Sequence, residues 1–470
     1  MTAETTPEDD SFATLLAVTA IGAYLLVILG ATNAVSEAAT TCSTWPVCDG
    51  ALGALEEPEV AIALGHRTAA LLVGGLVLAA TALALRRPTS RRVRASLLLA
   101  LGLYPVQVGL GAVAATSGGA AGFLGVLHLG FGLAIFGGIL AALAWSLDAQ
   151  TASAADREPL EAPEPVTADA DAQPRDIPAS GLGRAKLVAL AYFRMTKPRL
   201  MWLLCLVAAA GMALAAGAGV SPRVFALTML GGVLAIGASG TFNNVLERDV
   251  DRRMNRTSDR PLAVDLVPVR NAILFGLMLA AGSLAAFLAI NRLAAILGLT
   301  AIAYYSVIYT VVLKPNTVQN TVIGGGAGAL PALIGWAAVT NEIGLPALAL
   351  AGVIFLWTPA HFYNLALAYK EDYARGGFPM LPVVRGEATA RRHVIWYLGA
   401  TLAAAAVLST VSSLGPLFAL TSVLAGGAFL WAAIRLHREQ TESAALRSFH
   451  ASNAYLGLVL LAIIVDTVAL

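Results

Sequence analysis

NNVLERDVDRRMNRTSDRPL, residues 243–262, is the most charged run of the sequence, and it follows directly on an apolar segment at 224–244. On a helix Asn243, Glu247 and Asp251 share one face, because they are spaced at i, i+4 and i+8. Carboxylates at a helix end suit Mg²⁺, which binds through a few carboxylates together with substrate phosphates. The arginines that follow suit phosphate oxygens. The stretch predicts a metal-dependent phosphate site at the end of a membrane helix. Its alternative is a solvated loop whose basic residues only set membrane orientation.

The composition indicates a membrane protein. Hydrophobic residues make up 58% of the chain and charged residues 13%, which is typical of membrane proteins and excludes an ordinary soluble domain. The formal net charge of +1 predicts no nucleic-acid partner. The first eleven residues are acidic and lack the basic region of a signal peptide, so we expect the first apolar run to be a retained helix.

Apolar segments long enough to cross a bilayer recur along the chain in two groups. Between the groups, residues 147–183 are rich in Ala, Pro, Asp and Glu, which predicts a flexible acidic linker. The sequence therefore predicts an all-α polytopic membrane protein: a disordered tail (1–11), a four-helix transmembrane bundle (12–146), the linker, and a nine-helix transmembrane domain (184–470). The predicted spans are 12–34, 61–85, 95–116, 123–146, 200–219, 224–244, 270–289, 293–313, 318–340, 345–368, 393–411, 414–435 and 450–470.

The basic loops predict how the chain crosses the membrane. The run from Arg86 to Arg92 is strongly basic, and the basic loops of the second group all fall on one side. Basic loops face the cytoplasm, so we expect the N-terminus, the linker and the charged loops inside the cell membrane. Residues 35–60 would then lie outside, where a Cys42–Cys48 disulfide is chemically allowed and two unpaired thiols are the alternative.

A second charged cluster ends another apolar span on the same side. It reads Tyr369-Lys-Glu-Asp-Tyr373, and its Glu371 and Asp372 could face the first cluster across a metal-bound diphosphate. The preceding span contains His361 and Asn364. Polar residues inside a membrane are costly, which makes both candidates for function, with a helix–helix hydrogen bond as the alternative.

Residues 192–470 resemble the UbiA-type intramembrane prenyltransferases and, within them, the haem O synthase branch. The stretches that carry the resemblance are MTKPRL (195–200), residues 243–262, LKPNTVQNTVIGGGAGALPALIGWAAVT (313–340) and WTPAHFYNLALAYKEDYARGGFPMLPV (357–383). The resemblance implies transfer of a farnesyl group from farnesyl diphosphate to a vinyl group of protohaem IX (haem b). Water addition would then give haem O, with release of diphosphate.

The resemblance also implies roles for individual residues by their positions in these motifs. Asn243, Glu247 and Asp251 would hold Mg²⁺, with Glu247 where the superfamily usually has aspartate. Glu371 and Asp372 would supply the second metal-facing cluster. The implied diphosphate cations are Lys197, Arg199, Arg252, Arg253 and Arg260. The implied substrate-pocket residues are Tyr305, His361 and Asn364.

Two histidines of the first bundle lie at one depth. His66 and His128 are each about five residues inside the outer end of a predicted span, which at 1.5 Å per residue places both roughly 7–8 Å below the outer surface. Such a pair can bind a haem iron axially. The alternative is two histidines that are hydrogen-bonded within the bundle.

The first bundle resembles one half of a haem A synthase, whose bundles carry histidine-ligated haem. The matching stretches are CSTWPVCDG (42–50), GHR (65–67), QVGLGAV (107–113) and LHLGFG (127–132). The family has two such halves, and it has a glutamate where this chain has Ala63. The nearest substitutes are Glu56, Glu57 and Glu59. The resemblance implies haem binding without an oxidase activity. The expected partners are a homo-oligomer, which could supply the missing half, or a haem A synthase.

Other functions compete with haem farnesylation. A transferase of the same superfamily could act on a quinone precursor or on an archaeal-type lipid, and the motifs of the haem branch argue against it. A transporter would place charges near the midplane, whereas the charged residues cluster at one face and no inverted repeat is evident. An electron-transfer cytochrome would explain His66 and His128 and leave both acidic clusters unexplained.

Overall fold

The computed structural model describes residues 7–35, 44–46, 57–119, 122–161 and 181–469. The described residues form helices and connecting turns and contain no strand. Thirteen of the described helices are long and apolar enough to cross a membrane, which confirms the predicted number of spans. The chain is therefore an all-α, multi-pass membrane protein.

The helix bounds follow the apolar segments closely. Several helices begin at a proline, because proline lacks the N–H that would be left unpaired there. The helices are α1 (Pro7–Val35), α2 (Pro58–Arg86), α3 (Arg91–Thr116), α4 (Phe123–Thr151), α5 (Leu182–Met195), α6 (Pro198–Ala216), α7 (Pro222–Asp251), α8 (Val269–Leu288), α9 (Arg292–Ala303) with its π-helical continuation (Tyr304–Leu313) and a last turn (Lys314–Asn316), α10 (Asn320–Thr340), α11 (Leu345–Ala368), α12 (Lys370–Arg375), α13 (Leu381–Arg385), α14 (Glu387–Val411), α15 (Pro416–Glu439) and α16 (Glu442–Val468), with short 3₁₀ turns at Ala155–Arg157 and Gly217–Gly219.

One compact unit combines residues 1–157 with residues 391–468. Inside it, the Tyr24 hydroxyl of α1 lies 2.6 Å from the Ser422 hydroxyl of α15. Near the end of α4, Asp148 accepts a hydrogen bond of 3.0 Å from Arg392 of α14. Helices α14 and α15 thus pack with the N-terminal helices through contacts between residues that are far apart in sequence. The predicted domains group these helices differently, and that division stays a prediction.

An aspartate from one helix caps another in this unit. Helix α15 begins after Gly415, which has no side chain to pair with the first backbone N–H groups. Asp466 of α16 takes that place: its buried carboxylate accepts hydrogen bonds from the backbone N–H of Gly415 at 3.0 Å and of Phe418 at 2.8 Å. A carboxylate at a helix N-terminus also interacts favourably with the helix dipole.

We expect Asp466→Ala to lower the free energy of unfolding by about 1–2 kcal/mol, the usual effect of losing an N-terminal cap. Thermal unfolding in detergent measures the change. Thr467→Ala is the matched control, since the Thr467 hydroxyl bonds only within its own helix, to the Ile463 carbonyl at 2.8 Å and the Ile464 carbonyl at 3.2 Å. Equal melting temperatures for the two variants would contradict the capping role.

The other compact unit comprises residues 158–390 and contains the acidic clusters. Helices α6 and α10 can approach each other very closely because Gly211 and Gly335 have no side chain at the contact. A Cβ on Gly211 would collide with the Ala332 carbonyl, and one on Gly335 with the Ala208 carbonyl. The buried Phe287 ring occupies the space between Gly231 of α7 and Gly298 of α9. These contacts pack helices α6, α7, α8, α9 and α10 around the cavity described below.

Some predicted boundaries differ from the structure. Helix α1 begins at Pro7, so residues 7–11 of the predicted tail are helical, consistent with the preference for proline at a first helical position. Helix α4 continues to Thr151 because Asp148 and its neighbours pack against α14, which shortens the predicted linker. Residues 162–180 of the linker, as well as Cys42, Cys48 and Glu56, lie outside the described residues.

Candidate active site

The last three turns of α7 carry the acidic face that the sequence predicts. Asn243, Glu247 and Asp251 are only 2%, 5% and 2% exposed. Burial of two carboxylates costs several kcal/mol each unless cations and hydrogen bonds compensate for the lost water. The surroundings of this face must therefore supply positive charge.

Two cations from separate segments supply that charge. Lys314, in the last turn after the π-helix, places Nζ 2.6 Å from Glu247 Oε1. Arg260 binds both oxygens of Asp251 through Nη1, at 2.9 and 2.8 Å, and lies 3.8 Å from Glu247 Oε2. The two carboxylates and two cations form one buried, compensated cluster.

Lys197 joins the cluster from the junction between α5 and α6. Its backbone has φ 55°, a left-handed conformation that ends one helix just before Pro198 begins the next. Its Nζ donates to Asn243 Oδ1 and, at 3.1 Å, to the Tyr305 hydroxyl. Asn243 in turn donates through Nδ2 to the Thr310 hydroxyl at 3.2 Å. The π-helical segment thus contributes both Tyr305 and Thr310, in keeping with the frequent use of π-helix at functional sites.

A largely apolar cavity opens beside Lys197 and Tyr305. Its empty volume is about 770 Å³, including open solvent. It runs along α7 from Gly240 to Thr228, twelve residues or roughly 18 Å of helix. Phe287 and Ile334 line its other walls. A long apolar chain with a charged end group would fit here, with the end group at Lys197.

The donor set of the cluster fits Mg²⁺. Within the described ranges, no three His, Cys, Asp or Glu residues come together in a way that could hold a metal without further ligands. Mg²⁺ does not need such a cage, since it is commonly held by one or two carboxylates, water and substrate phosphates. The carboxylates of Glu247 and Asp251 with the amide oxygen of Asn243 are hard oxygen donors of that kind.

The remaining predicted cations lie away from this cluster. Arg199 and Arg253 are exposed. Arg252 donates through Nε to the Ala263 carbonyl at 2.9 Å and pairs with Asp265 at 2.8 Å. Of the five predicted diphosphate cations, the structure brings Lys197 and Arg260 to the acidic face.

The second acidic cluster, on α12, is arranged differently. The Glu371 side chain is 62% exposed and lies 3.4 Å from Arg375. Asp372 is buried, and its carboxylate accepts backbone N–H groups of Asn255 and Arg256. Tyr373 beside it is buried, which raises the pKa of its hydroxyl, while the neighbouring Arg256 opposes part of that rise.

The polar residues of α11 make contacts within their own helix. The His361 ring stacks on the Trp357 ring, with centroids 4.3 Å apart. Asn364 is fully buried and donates through Nδ2 to the Ala360 carbonyl at 2.8 Å. Among the described residues nothing is within hydrogen-bonding distance of its Oδ1, so the helix–helix hydrogen bond considered for this residue is not formed by that atom.

In the first bundle, His66 lies on α2 and His128 on α4. Both Nδ1 atoms are buried, and no hydrogen-bond partner for either is found in the described part of the chain. Nε2 of His128 lies 3.3 Å from Gln107 Nε2. Glycines face the two rings, since a Cβ on Gly30 or Gly111 would lie 3.4 or 3.2 Å from the Cε1 atom of His66 or His128, respectively.

Of the three substitutes considered for the glutamate missing at Ala63, Glu57 is the one whose side chain the structure describes. Ala63 is buried in α2. Glu57 directly precedes that helix, is exposed, and makes no side-chain hydrogen bond to its N-terminus.

The sequence reasoning missed Lys314 and Thr310 as members of the site. Lys314 is the second residue of the stretch at 313–340 that carries the family resemblance, and no role in the site was predicted for it from the sequence. A lysine at the end of an apolar span could have indicated a site residue, because a buried lysine charge requires an acidic partner.

Comparison with known proteins gives consistent matches. Residues 203–457 match the UbiA prenyltransferase family. The chain is 58% identical over 466 residues to the "Protoheme IX farnesyltransferase" of Haloarcula marismortui, covering 98% of this chain and 100% of the relative. It is 59% identical over 460 residues to "Protoheme IX farnesyltransferase 1" of Natronomonas pharaonis, covering 97% and 99%. A solved structure of digeranylgeranylglyceryl phosphate synthase matches the fold with a TM-score of 0.50 at 16% identity, over 60% of this chain and 99% of that chain.

Proposed function

The chain belongs to the UbiA prenyltransferase family, and we propose that it transfers the farnesyl group of farnesyl diphosphate to a vinyl group of protohaem IX. Addition of water then gives haem O. The observation that carries the transferase function is the buried cluster of Lys197, Glu247, Asp251, Arg260 and Lys314 at one end of the apolar cavity. Support for haem as the acceptor comes from the two relatives named protoheme IX farnesyltransferase, which are 58% and 59% identical to this chain over 98% and 97% of its length.

The residues of the cluster account for the first half of the reaction. Lys197 and Arg260 would bind the diphosphate oxygens while the apolar chain lies along α7 in the cavity. When bound, Mg²⁺ would be held by Asn243, Glu247 and Asp251 and would supply positive charge for the departing diphosphate. The allylic C–O bond breaks, and its electron pair leaves with the diphosphate, whose developing charge these fixed cations stabilise.

The second half of the reaction joins the two substrates. The π electrons of the haem vinyl group form the new C–C bond to the allylic cation. Water adds to the resulting cation and loses a proton, which leaves the hydroxyethylfarnesyl side chain. The face of the Tyr305 ring can stabilise the allylic cation, because this ring lines the cavity next to Lys197.

A reconstitution experiment tests the proposal. The purified full chain receives haem b, farnesyl diphosphate and Mg²⁺, and the extracted haem is analysed by mass spectrometry. We expect haem that carries a hydroxyethylfarnesyl group. Unmodified haem, together with prenylation of a quinone precursor or an archaeal-type lipid in parallel reactions, would overturn the haem assignment and keep the transferase.

We propose, as a second function, that the first bundle binds haem b through His66 and His128. The supporting observation is that these two histidines of one bundle each keep a buried Nδ1 for which the described residues offer no partner. A second copy of the chain would supply the missing half-bundle, with a haem A synthase as the alternative partner. Light scattering of the purified protein tests the first of these, because it shows whether the chain forms a homo-oligomer.

His66→Ala and His128→Ala are each expected to remove the low-spin absorption spectrum that two axial imidazoles give to bound haem. Titration of the full chain with haem b measures this spectrum. His450→Ala is the control, because His450 lies on α16 and not on one of the four helices of the first bundle. A spectrum that is unchanged in both bundle variants would contradict the proposal.

The charged loops are proposed to face the cytoplasm, together with the N-terminus and the linker. The supporting observation is the concentration of basic residues in the loops at 86–92 and 248–260. Accessibility of single cysteines placed at Arg253 and at Asn341 to a membrane-impermeant reagent tests it. Labelling of the cysteine at position 253 in intact cells would show that this loop faces outwards and would contradict the proposed orientation.

A further inference from the structure

Asp372 directs its carboxylate towards the turn that follows α7. Oδ1 accepts a hydrogen bond from the backbone N–H of Asn255 at 3.1 Å, and Oδ2 accepts one from the backbone N–H of Arg256 at 2.8 Å. Arg375 adds a bond of 2.7 Å to Oδ1. The side chain is 7% exposed. Both carboxylate oxygens of Asp372 thus accept backbone N–H groups, whereas both oxygens of Asp251 meet a side-chain cation, Arg260.

The same turn has two further attachments to the segment around α12. Met254 is buried in an apolar cluster with Tyr373 and Phe378. The Arg256 guanidinium lies over the Tyr369 and Tyr373 rings, at 5.2 and 5.7 Å from their centroids, as a cation–π contact. Apolar, ionic and aromatic contacts therefore all join this turn to α12.

The turn connects two residues of the buried cluster. Asp251 directly precedes it, and Arg260 follows shortly after it. Inside the turn, the Thr257 hydroxyl donates to the Asp251 carbonyl at 3.3 Å, and the Arg260 N–H donates to the Thr257 carbonyl at 3.0 Å. The position of the turn therefore sets how the Arg260 guanidinium meets the Asp251 carboxylate.

We propose that Asp372 is a positioning residue, which fastens the 252–257 turn and thereby holds Arg260 at the diphosphate end of the site, instead of binding metal. Only the identity of the substrate in this inference rests on the proposed function. Glu371, its neighbour, provides a contrast, since it is exposed and interacts with Arg375 alone among the described residues.

Asp372→Asn tests the inference in the full chain, with Glu371→Gln as the matched control. An asparagine can accept only one of the two backbone N–H groups. Three readouts are compared: hydrogen–deuterium exchange of the peptide that contains residues 252–260, binding of Mn²⁺ by electron paramagnetic resonance in the presence of a non-reactive farnesyl thiodiphosphate, and kcat/KM for farnesyl diphosphate. Mn²⁺ serves because carboxylate sites that suit Mg²⁺ also suit Mn²⁺.

We expect Asp372→Asn to accelerate amide exchange in the 252–260 peptide and to lower kcat/KM by roughly 10–100-fold, as outer partners of a site commonly do. The Mn²⁺ spectrum should be unchanged, and Glu371→Gln should leave amide exchange in the 252–260 peptide at the wild-type rate. A changed Mn²⁺ spectrum with unchanged exchange would make Asp372 a metal ligand and overturn the inference. Wild-type exchange and wild-type kcat/KM together would also overturn it.

Two further provisions keep these outcomes separate. If Asp372→Asn fails to fold, Arg375→Gln replaces it: the loss of one bond to Asp372 Oδ1 should raise exchange in the same peptide by a smaller factor, and unchanged exchange would count against the inference. Exchange and Mn²⁺ binding need no turnover. Absence of haem farnesylation by the wild-type chain would therefore count against the proposed function alone.

Discussion

Asp251→Asn is expected to reduce farnesyl transfer by roughly 10²–10³-fold, the range seen when one fixed electrostatic contact to a developing charge is removed. The substitution keeps the shape of the side chain and removes its negative charge. The variant would lose both the affinity for Mg²⁺ and the paired contact with Arg260, whose Nη1 now lies 2.9 and 2.8 Å from the two carboxylate oxygens of Asp251. Turnover with haem b and farnesyl diphosphate measures the effect.

Asp249→Asn is the control for this prediction. Asp249 lies two residues away on the same helix, but its side chain is 71% exposed and pairs with Arg248 and Arg252 at the surface. Exposed pairs of this kind contribute about 0–1 kcal/mol, so this variant should keep normal turnover and stability. A folded Asp251→Asn protein with near-normal activity would remove Asp251 from the metal site.

Lys314→Met is expected to lower the free energy of unfolding by about 3–5 kcal/mol, because it leaves the buried Glu247 carboxylate without its nearest cation. Lys314 Nζ lies 2.6 Å from Glu247 Oε1, whereas the Arg260 guanidinium is 3.8 Å away from Oε2. Methionine keeps a side chain of similar length beside the Phe378 ring but loses the cation–π contact of Nζ, which lies 4.2 Å from the ring centroid. Thermal unfolding in detergent measures the loss.

The double variant Lys314→Met with Glu247→Gln tests the cause of that loss. A neutral pair no longer requires a compensating charge, so the double variant should regain most of the stability. It should stay inactive, because Glu247 belongs to the acidic face of α7. Equal losses of stability in the single and double variants would show that the ion pair contributes little and that packing explains the effect.

The acidic face of α7 could be predicted from the sequence because the i, i+4, i+8 spacing is a local property of one helix. The thirteen spans could be predicted for a similar reason, since length and apolar composition decide them. The pairing of Lys314 with Glu247 joins segments 67 residues apart, and no local pattern encodes such a contact. The charges of the site were thus predictable in kind, and their partners were not.

Arg252 and Asp372 show, for a cation and for a carboxylate, what the sequence could not predict about the site. Both have the charge expected of site residues and lie in the expected loops. The turn after Asp251 directs the Arg252 side chain to the Ala263 carbonyl, whereas the two backbone N–H groups at Asn255 and Arg256 occupy Asp372. Charge and position suggested ligands, and the backbone geometry of a single turn decides what these side chains contact.

The number of residues in the π-helix at Tyr304–Leu313 sets the direction in which Lys314 points. Crossing the membrane alone would not require that exact number. Each residue advances an α-helix by about 100°, since one turn takes 3.6 residues. Insertion of one residue would rotate Lys314 by about 100° around the helix axis and away from Glu247, although the helix would still span the bilayer. Related chains that keep this lysine–carboxylate pair should therefore tolerate substitutions here far better than they tolerate insertions or deletions.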